Sequence, residues 1–124
     1  MNTVGIDIIE IDRIASVIDR WGARFLNRIY TKKELDYCRG RFPQLAARFA
    51  AKEAVMKALG TGVRGVGWRD VEVTRQRGDR PKVELHGRAA MVAVKTAVIH
   101  IALSISHSRK YAVASVSIDS KNPL

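Results

Sequence analysis

Between Pro43 and Gly60 lies a run that admits few folds. Alanine occupies positions 46, 47, 50, 51, 54 and 58. Small side chains therefore fall on several sides of any helix drawn through it, and alanine is the best helix former. A helix with one apolar stripe can lie on a surface, whereas one with small residues on most sides invites close approach and burial. The ends agree. Proline suits a first helical turn, and glycine suits the residue after the last. The spacing predicts a helix over 43–59, buried on most sides.

The two halves of the chain differ in period. Residues 3–9 read as a strand, with Val4, Ile6 and Ile8 on one face and Gly5 and Asp7 on the other. Residues 10–27 carry Ile14, Ile18, Trp21 and Phe25 at helical spacing, in a helix broken near Gly22. Thr31-Lys32-Lys33-Glu34 is a capping box that opens a short helix reaching about Arg39. Beyond residue 70 the period drops to two. Residues 70–75 and 82–86 form a hairpin turned at Gly78-Asp79. A helix is expected over 88–97. A strand over 99–106 follows, with Ile99, Ile101, Leu103 and Ile105 alternating with polar or small residues. The chain turns at Ser108-Arg109-Lys110 and returns as a strand over 111–118. The polar tail 119–124 is expected to fray. The sum is α+β, one domain over residues 1–124, with mainly antiparallel strands and a helical block.

Charge narrows the partners. With 22 Lys+Arg against 12 Asp+Glu, the chain carries +10, which speeds encounter with polyanions. Nucleic acid, an anionic membrane, an acidic protein or a phosphorylated small molecule would all qualify. No apolar run approaches the ~20 residues of a membrane span, and no signal peptide is visible at the N-terminus. The single cysteine, Cys38, excludes an internal disulfide framework and fits a reducing cytoplasm. Arg13, Arg20, Arg24 and Arg28 form one basic stripe on the first helical stretch, with no acid at i+4 within it. Such a stripe suits an acidic helical partner. A basic nucleic-acid-binding module without catalysis is the competing reading, but no recognition helix, zinc finger or aromatic stacking strand accompanies the charge.

The residues with chemical potential are few. Asp7 sits among small and apolar neighbours, where a carboxylate costs desolvation unless it is paired or metal-bound. An edge strand with its polar side in water would serve equally well. Glu53 and Lys57 are i and i+4, a surface-pair spacing worth only ~0.2–0.5 kcal/mol. The surrounding alanines argue for burial instead, and Gly60-Thr61-Gly62 lets backbone amides approach a ligand closely. These glycines follow the helix, whereas a nucleotide P-loop feeds a helix N-terminus. Ser106-His107-Ser108 ends a strand and can offer an imidazole and hydroxyls to a phosphate, although a solvated turn histidine is the plainer reading. His86 and His100 are read as structural or exposed. No zinc spacing and no Gly-x-Ser-x-Gly elbow is present. Carboxylates that hold a hard cation, beside an amine that neutralises phosphate, point to metal-assisted phosphate chemistry.

Together these residues resemble the holo-acyl-carrier-protein synthases, the small class of 4'-phosphopantetheinyl transferases. The likeness rests on Gly5-Ile6-Asp7 followed by Arg13-Ile14, on Thr31-x-x-Glu34-Leu35, and on Trp68-Arg69-Asp70-Val71-Glu72-Val73. It rests also on Ser104-Ile105-Ser106-His107-Ser108 and above all on the stretch from Arg48 to Gly62, whose motif is the most specific. The resemblance implies the phosphopantetheinyl transferase fold, a small mainly antiparallel sheet packed against a long helix and shorter ones. It implies transfer of phosphopantetheine from coenzyme A to a serine of acyl carrier protein for fatty acid biosynthesis, with release of adenosine 3',5'-bisphosphate. It implies Mg2+ and a homotrimer with active sites between subunits. By matching position, Asp7 and Glu53 would ligate the metal and Lys57 would contact the diphosphate. Arg48, Gly60, Thr61, Ser106, His107 and Ser108 would contact coenzyme A. Arg13, Arg24 and Arg28 would face the carrier protein. The base that takes the serine proton is left open among Glu53, Glu34 and a metal-bound water.

Overall fold

The computed structural model describes residues 1–121. Strand β1 (Asn2–Glu10) leads into helices α1 (Ile11–Trp21), α2 (Ala23–Ile29), α3 (Lys32–Cys38) and α4 (Phe42–Leu59). A short α5 (Gly62–Gly65) begins at the last residue of the expected glycine loop, and a 3-10 turn (Trp68–Asp70) follows. Then come β2 (Val71–Thr74), β3 (Lys82–Leu85), α6 (Gly87–Lys95), β4 (Val98–His107) and β5 (Tyr111–Ser120). The fold is α+β, as expected. β1, β5 and β4 form an antiparallel sheet in that order, and β2 and β3 form the separate hairpin.

Helix α4 is the centre. Ala46, Ala50, Ala51 and Ala54 are fully buried, and the helix lies across β1 and β5. The closeness is set at Gly5, where a Cβ would come 1.9 Å from the Ala54 carbonyl oxygen. No other residue fits there. The Thr3 hydroxyl donates to the Ala58 carbonyl at 2.8 Å and fixes the same contact one turn on. The inward face of β1 is therefore the Gly5–Asp7 face. Val4, Ile6 and Ile8 point outward and are 69%, 62% and 63% exposed.

Three expectations need correction. Asp119 and Ser120 do not fray: they complete β5, where Asp119 pairs with Asn2 and the Ser120 amide donates to the Met1 carbonyl. Residues 122–124 lie outside the described residues. In β4 a bulge between Val98 and His100 breaks the alternation, so Ile99 turns outward while Ile101, Leu103 and Ile105 stay against the core. Trp21 does not share the buried stripe of Ile14, because α1 ends there at Gly22, whose φ of 53° turns the chain.

The capping box forms as read. The Glu34 amide donates to the Thr31 hydroxyl, and the Glu34 carboxylate accepts from the Thr31 amide. That carboxylate does more. The Lys52 ammonium lies 2.7 Å from it with both side chains fully buried, and Glu34 also accepts from the Val73 amide at 2.9 Å. Lys52 donates in addition to the carbonyls of Val71 and Trp68, at 2.6 and 3.1 Å. One closed polar knot thus ties α3, α4, the 3-10 turn and β2 together. Burial pushes the Lys52 ammonium below its usual range, and Glu34 opposes that shift.

Candidate active site

Because β1 lies against α4, the inward Asp7 meets the helix where Glu53 and Lys57 emerge. The Lys57 ammonium donates to the Asp7 carboxylate at 3.0 Å and to the Ile6 carbonyl at 3.1 Å. Lys57 therefore pairs with the strand rather than with Glu53, its i−4 neighbour. Asp7 and Glu53 lie close enough for the charge of one to act on the other. Burial, and after it the Asp7 charge, holds the Glu53 carboxyl above its usual range, while Lys57 and Arg13 pull the other way. Two carboxylates side by side, one reluctant to ionise, make a site short of positive charge.

They open into a cleft of about 450 Å3 whose lining includes Asp7, Arg13, Glu53, Val63, Phe49 and Trp68. Trp68 and Phe49 stack at 4.8 Å with an 18° tilt and form an aromatic wall. Neither residue type carries acid, base or metal-ligand chemistry that would mark it out in sequence, although Phe49 and Trp68 both lie within the motifs of the resemblance. Next to the cleft, α1 and α2 enclose a groove lined by Val17, Trp21, Arg24, Phe25 and Arg28. Val17 and Phe25 belong to both walls. The basic stripe therefore divides, with Arg13 in the cleft and Arg24 and Arg28 in the adjoining groove.

The other candidate residues do not line this cleft. The Arg48 side chain is almost fully buried and stacks 4.2 Å from the Tyr37 ring centroid. Its Nε and Nη2 have no hydrogen-bond partner among the described residues. Ser106, His107 and Ser108 are exposed at the far end of β4, where the Ser108 hydroxyl accepts from the Lys110 and Tyr111 amides and shapes the turn. The glycine loop does not offer all its amides. Those of Gly60 and Thr61 donate to the carbonyls of Lys57 and Met56, because a helix end must satisfy its last carbonyls. Glu34 is sealed against Lys52, away from solvent, and is removed as a candidate base. Cys38 is fully buried and its thiol is pushed up to about 11, chiefly by burial, which leaves it inert.

The donor set fits a hard divalent ion. Asp7 and Glu53 offer oxygen ligands in a charge-deficient pair, and magnesium takes few protein ligands alongside phosphate oxygens and water. Among the described residues, a different group, Glu72, Glu84 and His86 on the β2–β3 hairpin, brings three ligand side chains close together. There Glu72 is already engaged by Thr31 and His86. Burial raises its proton affinity, but those two hydrogen bonds, together with nearby positive charge from Lys33, hold the carboxyl below its usual range.

Known proteins resemble this chain in sequence and in fold. Residues 3–116 match the 4'-phosphopantetheinyl transferase superfamily. A holo-[acyl-carrier-protein] synthase of Koribacter versatilis is 53% identical over 93% of this chain and 95% of its own. The crystal structure of the synthase from Neisseria meningitidis superposes with a TM-score of 0.87 at 30% identity, covering 95% of this chain and 98% of that one. The Helicobacter pylori synthase in complex with coenzyme A gives 0.86 at 28%, covering 94% and 99%. The family match over most of the chain, the similar relatives and the shared fold have one reading: this chain belongs to the 4'-phosphopantetheinyl transferase superfamily.

Proposed function

We propose that Asp7, Glu53 and Lys57 are the working residues of a transfer of 4'-phosphopantetheine from coenzyme A to a serine of apo-acyl carrier protein. The observation that carries this is the Asp7–Glu53 carboxylate pair, brought together across β1 and α4 with Lys57 beside it. The serine oxygen attacks the pantetheine-bearing phosphorus, and the bond to the second phosphate breaks. Adenosine 3',5'-bisphosphate leaves with the electron pair. Such a reaction needs charge neutralisation and positioning more than a protein nucleophile. Asp7 and Glu53 would hold Mg2+, which supplies that neutralisation at the diphosphate. Lys57, half exposed and paired with Asp7, would set a second positive charge against the leaving phosphate. With Glu34 sealed, the acceptors left for the serine proton are Glu53 and a water held in the cleft.

Coenzyme A has a second half to bind. Arg48, Gly60, Thr61, Ser106, His107 and Ser108 would take its nucleotide end. Arg48 and the β4 turn stand apart from the cleft of their own chain, which favours a site completed by a neighbouring copy. The outward face of the sheet supplies the surface for such a neighbour: Val4, Ile6 and Ile8 lie exposed in a row, with Val113 opposite Ile8. Patches of this kind mark interfaces, and a homotrimer built on this face is the assembly we favour. No helix of the described residues is long and apolar enough to cross a membrane, and a cytoplasmic enzyme is proposed. A nucleic-acid-binding module would leave the carboxylate pair without use.

Incubation with Mg2+, coenzyme A and an apo-carrier protein, followed by intact mass measurement, tests the proposal. The expected result is a mass gain of one phosphopantetheine on the carrier protein, abolished by a chelator and restored by excess Mg2+. An unchanged carrier mass would overturn it.

A further inference from the structure

The β2–β3 hairpin carries chemistry that the transfer reaction leaves unused. Its register sets Glu72 directly opposite Glu84. Like charges that face each other across two strands weaken the pairing. A two-stranded sheet also has little stability to spare. His86 follows Glu84 by two residues and shares its face. The ligand atoms of all three side chains lie within 4.8 Å of one another. Among the described residues, the Glu84 carboxylate makes neither an ion pair nor a hydrogen bond. Lys33 acts on Glu72 through space but pairs with neither glutamate. The register thus gathers two carboxylates with no cation bound between them.

The local geometry is that of a ligand set. The His86 Nε2 lies 3.1 Å from a Glu72 carboxylate oxygen. That separation places the two atoms about 100° apart at an ion with bonds of about 2.0–2.1 Å, close to a tetrahedral edge. The other Glu72 oxygen accepts from the Thr31 hydroxyl, and the side chain is buried, so its position is fixed from outside the cluster. Ligating carboxylates are held in this way by an outer partner. Glu84 is exposed and free to close on an ion. The imidazole decides the metal: Mg2+ takes oxygen ligands, whereas imidazole with carboxylates suits Zn2+. We propose that Glu72, Glu84 and His86 form a Zn2+ site, separate from the carboxylate pair of the cleft, with water in the fourth position. The ion takes the place of the proton between His86 and Glu72 and neutralises the two facing carboxylates. It staples β2, β3 and the start of α6, where His86 is the N-cap. Through Thr31 it also braces the N-cap of α3.

Calorimetric titration of the untagged full chain with Zn2+ in excess Mg2+ tests this, because Mg2+ competes at sites made of oxygen alone. One equivalent should bind. His86→Ala and Glu84→Gln should each weaken binding by at least about tenfold, while Asp7→Ala, His100→Ala and His107→Ala leave it near wild type. The His86 side chain caps no backbone amide of α6, so His86→Ala should unfold near the wild-type midpoint without metal. Saturating Zn2+ should then raise the Tm of wild type and not that of His86→Ala. An affinity unchanged by His86→Ala would overturn the proposal, as would the absence of saturable binding. Loss of binding in Asp7→Ala would overturn it too, since the ion would then sit in the cleft. None of these readouts uses turnover, so they stand apart from the transferase reading.

Discussion

Lys52 and Glu53 are adjacent on α4 and live in opposite environments. Lys52 points into the core, where its charge is matched by Glu34 and its remaining donors by two carbonyls. Glu53 lines the cleft, where after burial the strongest influence on its carboxyl is another carboxylate, that of Asp7. The first centre is closed, with every polar atom answered from within the chain. The second is unbalanced, since the chain itself supplies too little positive charge for two carboxylates. One step along the helix thus separates a polar group answered by the fold from one whose charge the fold leaves less well matched. Net satisfaction, rather than burial, tells them apart.

The largest effect should come from opening the closed centre. Lys52→Met leaves Glu34 buried and unpaired, and should cost about 3–5 kcal/mol of stability in urea unfolding. Replacing both partners, as Glu34→Leu with Lys52→Met, should recover much of that loss, because apolar pairs of similar volume tolerate the same site. A double variant as unstable as the single one would mean that the knot of backbone carbonyls and amides around the pair, and not the unpaired charge, sets the cost.

The open centre should respond in the reverse way. Asp7→Ala and Glu53→Ala should each slow carrier modification by about 100-fold at saturating substrates, while urea midpoints stay near wild type. Either variant with normal activity in limiting Mg2+ would remove its residue from the metal site. A large loss of stability in either would erase the contrast between the two centres.

Much of the architecture was readable because its signals are local. Thr31 and Glu34 are three apart and form their box within one turn. Pro43 and Gly60 bracket α4 in the same way. What could not be read depends on contacts between distant positions. Nothing near Lys52 announces Glu34, eighteen residues earlier, because a lysine among alanines looks the same whether its partner is water or a buried carboxylate. The inward face of β1 was hidden for a similar reason. Val4, Ile6 and Ile8 carry the hydrophobicity, yet the sheet turns Gly5 inward because only glycine lets β1 reach the Ala54 carbonyl. In the site, Asp7 and Glu53 were legible as residue types. Their meeting was not, since it follows from that same close approach. Trp21 kept helical spacing with Ile14 and Ile18 but lies at the helix end, where spacing no longer determines burial.

The smallest expected effect separates the two centres most finely. The Glu53 carboxyl is held above its usual range in the folded chain, so its ionisation opposes folding. The sign follows from linkage. Stability associated with protonated Glu53 is fully present below the ordinary glutamate range, near pH 4.3, and is lost as pH rises through the folded-state value. Glu53→Gln should therefore be more stable than wild type at pH 7 in the absence of divalent ions. The gain should stay below about 1 kcal/mol, because the half-exposed carboxylate is screened by solvent, and it should vanish below pH 4. Saturating Mg2+ should reverse the order, since the ion stabilises whichever folded form binds it more tightly and the amide is the poorer ligand. Thermal unfolding at pH 7, with and without Mg2+, reads both effects. A Gln variant that melts below wild type without metal would mean that Lys57 and Arg13 already balance Glu53, and that the cleft is closed electrostatically like the core beside it.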